Sequence, residues 1–182
     1  MRVTCYTIQP KQPNVGKVLR WCWEEGKVDR MLLALRLERN RARWQASCPQ
    51  QYRTTLELFG DSVINEELAS GWPGTTLHGA PGLVLLVRFD EAIQRIVSKA
   101  GPRFSDWMPD EKRSLPEDIC LFRVGASCPT LITTTHENDA WLLTEKEVEL
   151  AGVSKCRADE AHDVMHSFFD GPWFCRRWRG KK

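Results

Sequence analysis

His162 and His166, four residues apart in this 182-residue chain, are the pair best placed to grip a metal ion. On a helix that spacing stacks both imidazoles on one face, one turn apart. Asp159, three residues before His162, could add an oxygen ligand or fix an imidazole tautomer from behind. Cys156 and Cys175 flank the same segment. A plainer reading competes with this one. Ala161, Val164, Met165 and Phe168 form the apolar stripe of that helix, and histidines at its margin, paired with neighbouring carboxylates, need no metal. Apart from a divalent metal held here, no cofactor is expected.

A second cluster is Thr133-Thr134-Thr135-His136-Glu137-Asn138-Asp139, which ends a strand and opens a turn. Cys128 or Cys120 as nucleophile, His136 as base and Glu137 or Asp139 as orienter would make a Cys–His arrangement. The same residue types also serve a hairpin turn, because Asn and Asp tolerate its dihedrals. The loop GWPGTTLHGAPG (71–82) presents Trp72, Pro73 and His78, and suits a binding edge or a packed crossover alike. Asp106, Asp110 and Glu111 lack the spacing that would converge carboxylates and a lysine on a nuclease metal. Neither GxxxxGK[ST] nor GxGxxG occurs, so there is no glycine-rich phosphate loop.

The basic residues form more concrete patterns. Arg36, Arg39 and Arg43 fall at helical spacing, and the final segment WFCRRWRGKK interleaves aromatics with Arg176, Arg177, Trp178 and Arg179. Cations alternating with aromatic rings suit phosphate contacts combined with stacking on bases. Net charge is only +2, but residues 1–60 hold 11 Lys/Arg against 5 Asp/Glu, whereas residues 61–175 hold 10 against 19. Such asymmetry fits a surface for an acidic partner or salt-bridging between the two halves. With pI ≈ 8.2, the chain falls short of a strongly basic nucleic-acid-binding domain.

These residues must be positioned by a scaffold, and composition says which kind. A hydrophobic fraction of 42% and a charged fraction of 27% are those of an ordinary globular protein large enough to bury a core. The longest apolar run is far too short to span a bilayer, so no membrane partner is expected. Seven scattered cysteines without a CxxC pair, and an opening MRVTCYTIQPKQP without a secretory apolar region, predict reduced thiols and a cytoplasmic location.

Periodicity predicts strands near 3–8, 83–89, 119–124, 131–136 and 140–143. It predicts helices near 15–24, 27–47, 50–59, 61–69, 90–99, 145–151 and 158–169. The fold class is α+β: a small mixed or antiparallel sheet packed against helices, in one domain over 1–182 with a short basic tail at 176–182. Two features carry most of this reading. Residues 115–144 read as a three-stranded meander, each break having its own turn residues. Val28, Met31, Leu32 and Leu35 read as one stripe of a long central helix.

With no strong catalytic constellation, eight tryptophans and an uneven charge layout, the chain reads as a small protein-interaction module, of accessory or inhibitor type, lacking catalysis of its own. Its expected partner is another protein. The alternative is a nucleic-acid binder using the arginine ridge and the tail. The second alternative is a metal-dependent enzyme centred on His162 and His166.

Overall fold

The computed structural model describes residues 3–40, 43–46, 49–99, 101–107, 118–123, 125–126, 129–134, 137–157 and 159–161. Its strands are β1 (Thr4–Ile8), β2 (Val28–Asn40), β3 (Arg43–Ala46), β4 (Val63–Ala69), β5 (Gly71–Trp72), β6 (Thr75–Thr76), β7 (Gly82–Arg88), β8 (Asp118–Arg123), β9 (Leu131–Thr134), β10 (Asp139–Thr144) and β11 (Val153–Lys155). The helices are α1 (Val15–Glu24), α2 (Pro49–Phe59) and α3 (Glu91–Lys99), with single 3₁₀ turns at Gly60–Ser62 and Phe104–Trp107.

Eight strands run in the order β11-β1-β10-β9-β8-β2-β7-β4, and β3 folds back on the far end of β2 as a ninth. Every pairing among the described strands is antiparallel. The α+β class therefore holds, but the sheet is large and the helices are few.

The largest correction concerns residues 27–47, expected as a central helix. Thirteen of them form β2, which pairs with β7 on one side and β8 on the other. Met31 to Leu35 are all buried. A continuous apolar run satisfies helical spacing and a doubly buried strand equally well. What decides is that Leu33 and Leu35 pack in one core cluster while Leu32 and Ala34 pack in another. A strand interior to a two-sided sheet meets that demand through simple alternation. The other half of the expectation was right in kind: the run is central and packed on both sides.

The two faces differ. On the first, Leu33, Leu85, Ile119, Leu121 and Leu142 join Val18 and Leu19 of α1 and Ile93 and Val97 of α3. The stripe Val15, Val18, Leu19 and Cys22 on α1 is the i, i+3, i+4, i+7 pattern that buries one side of a helix. On the second face, Leu32, Val84, Cys120, Ile132 and Leu143 are covered by Trp72 and Ala69.

The meander is present as β8-β9-β10, and its turns use the expected chemistry. Gly125 (φ 72) follows β8, and Asn138 (φ 62) sits in the turn between β9 and β10. The meander meets β7 only through β2, which lies between them. Residues 135 and 136 lie outside the described residues, so β9 is described to Thr134.

Two further helices are not seen. Residues 63–69, expected within a helix at 61–69, are β4, because Val63, Glu67 and Ala69 turn partly inward while Glu66 and Leu68 turn out. Residues 145–151 form no helix: a bend at 145–146 leads through irregular chain to a turn at 151. The Thr144 hydroxyl accepts from the Lys146 backbone N–H at 3.0 Å, a local turn that competes with a cap. Asp90 caps α3, accepting from the Ile93 N–H at 3.0 Å. Of the helix at 158–169, residues 159–161 are helical, and the remainder lies outside the described residues, as does the tail at 176–182. No helix among the described residues is long and apolar enough to cross a membrane.

Candidate functional site

Few of the sequence-predicted residues fall among the described residues. Arg36 is exposed on β2, Arg39 is on β2 opposite Trp44, and Arg43 is on β3 opposite Asn40. The helix that would have set these three arginines at one spacing is instead β2 and β3. Asp159 is exposed and pairs with Arg157 at 3.1 Å. His162 and His166 lie outside the described residues, as do Cys128, His136, Arg176, Arg177, Trp178 and Arg179. Glu137 is exposed in the turn after β9, and His78 is exposed in its loop. Among the described residues, no group of three or more His, Cys, Asp or Glu could hold a metal.

The structure gathers a different set at one end of the second face. Registers place Asp139 opposite Thr134 and Asp118 opposite Ala34. The pairing of Cys120 with Ile132, continued by two residues, brings Asp118 level with Thr134. One row across four strands thus reads Asp139, Thr134, Asp118, Ala34. Asp118 is fully buried. Its Oδ2 accepts hydrogen bonds from Trp72 Nε1 at 2.6 Å and Thr75 Oγ1 at 3.0 Å. A buried carboxylate needs such donors, so it pins the β5-β6 hairpin onto the sheet. Gly82 makes room for this hairpin, because a Cβ there would collide with the Trp72 ring. The loop flagged for Trp72 and Pro73 is thus a packed crossover.

Beside Asp118 the ladder changes character. The Thr133 hydroxyl accepts from the Ile119 N–H at 2.9 Å and donates to the Ile119 carbonyl at 3.0 Å, replacing a main-chain pair. Thr134 is fully buried, and its hydroxyl has no hydrogen-bond partner among the described residues. Asp139 ends the row. Burial, then the charges of Glu137 and Glu160, push its carboxyl above the usual range. Burial likewise pushes the Cys120 thiol up, reinforced by Asp118, and holds it as an inert neutral thiol.

At the β11 end, Cys5 and Cys156 bring their sulfurs to 3.0 Å. The Thr7 hydroxyl lies 3.3 Å from Cys156 Sγ and donates to Glu160 Oε1 at 2.6 Å.

The opposite edge is apolar and acidic. β4 ends the sheet, and among the described residues no strand pairs with its outer side. Ile64 and Leu68 are each 49% exposed, among the few large hydrophobics so placed. A register shift between Val63 and Asn65 puts Ile64 in a bulge. Between the two apolar residues lie Asn65, Glu66 and Glu67.

Surface hollows lie elsewhere among the described residues. A groove of about 940 Å³ between α1 and α3 is lined by Lys17, Arg20, Glu24, Glu91, Arg95 and Lys99 among others. A pocket of about 480 Å³ lies where Gly26, Arg123 and Thr130 meet Lys146. At its rim Lys146 bonds Glu25 at 2.7 Å and holds that carboxyl below its usual range. The groove mixes charges of both signs and shows no convergent set of reacting groups.

No protein-family model, curated protein or solved structure matches the chain. The residues that sequence reasoning missed had uneven signals. Asp118 stands directly before the apolar ICLF, where a lone carboxylate entering a buried strand is a readable oddity. Cys5 and Cys156 are 151 residues apart, and only the register of β1 with β11 makes them neighbours.

Proposed function

We propose that the protein is an interaction module that takes an extended segment of another protein along the outer edge of β4. One observation carries this reading: a seven-residue strand, paired with no described strand on its outer side, presents Ile64 and Leu68 half exposed. Adding a strand there would satisfy the outward N–H and C=O groups and cover the two apolar side chains.

Charge favours a basic segment over a second copy of this chain. An antiparallel pairing of two β4 strands that sets Ile64 against Leu68 also sets Glu66 against Glu66, and like charges directly opposite destabilise a pair. The bulge at Ile64 and the flanking carboxylates serve the same end, since both discourage indiscriminate edge-to-edge association. A partner strand with Lys or Arg opposite Glu66 and apolar residues on either side fits.

The test is selection of extended peptides from a random display library, followed by anisotropy titration of the enriched sequences. Binders with a basic residue between apolar ones are expected. Their Kd should rise about tenfold with Leu68→Asn and again with Glu66→Lys. Lys17→Glu, in the groove between α1 and α3, should leave it unchanged. Binding that ignores both β4 substitutions and is lost with Lys17→Glu would remove the reading.

A further inference from the structure

We infer that Cys5 and Cys156 are a redox modification site: a hydroperoxide closes them to a disulfide that fastens β11 and the turn after it to β1. This site is independent of the β4 edge and lies at the other end of the sheet.

The geometry is that of a pair awaiting closure. β1 and β11 pair Tyr6 with Lys155 and Thr7 with Ser154. Cys5 and Cys156 continue that register, and the Cys156 N–H donates to the Cys5 carbonyl at 3.0 Å. Directly opposed residues of a hydrogen-bonded antiparallel pair have Cα atoms roughly 5.5 Å apart, inside the range that a disulfide spans. The sulfurs stand 3.0 Å apart, reduced rather than joined in a disulfide. Closure to a bond of about 2.0 Å asks for a movement of roughly 1 Å. Both side chains are buried, but Cys156 is the more accessible, 9% exposed against 3%. It also follows a three-residue edge strand, the kind of element that opens first in local unfolding.

The chemistry balances with one equivalent of hydroperoxide. The Cys156 sulfur, having released its proton, attacks the terminal peroxide oxygen. The O–O bond breaks, and the departing oxygen takes up that proton as alcohol or water. Cys5 sulfur then attacks the resulting sulfenic sulfur, the S–O bond breaks, and water leaves with the Cys5 proton. Two thiols lose two electrons, and the peroxide gains them.

The experiment treats the full chain with hydrogen peroxide, then maps unreduced peptides by mass spectrometry and records thermal unfolding. A linked Cys5–Cys156 peptide two hydrogens lighter than its parts is expected, reversed by dithiothreitol. The bond closes a loop of about 150 residues, so the unfolding midpoint should rise by on the order of 10 °C. Cys5→Ala should abolish the link and let Cys156 proceed to sulfinic acid. Over-oxidised Cys156 without a link in the wild-type chain would overturn the proposal, and so would a midpoint shift that survives Cys5→Ala.

Discussion

The sheet ends in two unlike edges. β4 is seven residues long, carries exposed Ile64 and Leu68, and is marked by a bulge and carboxylates. β11 is three residues long and partly or fully exposed, and it leads directly into a buried thiol pair. Among the described residues both face the same physical problem, an outer row of backbone donors and acceptors with no neighbouring strand. β11 answers by being too short to template anything. β4 keeps its length and relies on charge to choose what may dock. The difference teaches that length and side-chain chemistry, rather than position at an edge, decide whether a strand is offered or withheld.

That contrast requires the interior, not the edges, to hold the fold together. Leu33, fully buried at the middle of β2, therefore gives the largest effect: Leu33→Ala should cost about 2–5 kcal/mol in urea unfolding. A smaller cost would mean the edges share the stability more evenly. Next, Asp118→Ala should cost about 2–4 kcal/mol, because Trp72 Nε1 and Thr75 Oγ1 lose their buried acceptor. Hydrogen exchange then separates the edges themselves. In the reduced protein the β11 amides should exchange at least about tenfold faster than the inward-bonded β4 amides, and equal rates would erase the distinction. Leu68→Asn should change stability by no more than roughly 0.5 kcal/mol while weakening peptide binding, since its side chain is half exposed.

Asp139 gives the smallest effect. Its carboxyl has a folded pKa above the unfolded value, so the charged form costs stability once the pH passes that folded pKa. Asp139→Asn should therefore stabilise slightly at neutral pH, by well under about 1 kcal/mol given its exposure. The gain should vanish in acid, where wild-type Asp139 is already protonated. Guanidinium unfolding at pH 7 and pH 3 reads the sign.

Local features of this fold were legible in the sequence, and long-range ones were not. Gly125 and Asn138 mark their turns because only certain residues adopt a positive φ, and Asp90 marks a helix start because its side chain caps one. The apolar stripe of α1 was equally plain. Met31 to Leu35 deceived because five consecutive apolar residues carry no period. Their strand identity comes from neighbours at 82–88 and 118–123, supplied by distant sequence. Treating that run as helix also gave Arg36, Arg39 and Arg43 a helical spacing that β2 and β3 do not have. Residues 63–69 misled for a related reason, since an edge strand buries too little of either side to show a clean alternation. The site residues followed suit. Asp118 carried a local clue, whereas the Cys5–Cys156 pair exists only once β1 and β11 are aligned.

The most direct test of the account is hydrogen exchange on the protein with and without a saturating basic, apolar-flanked extended peptide. If β4 accepts the added strand, the outward amides within Val63–Ala69 gain protection, while those lining the groove between α1 and α3 stay as they were. Protection that appears in the groove and leaves β4 unchanged would contradict the assignment of β4 as the docking edge.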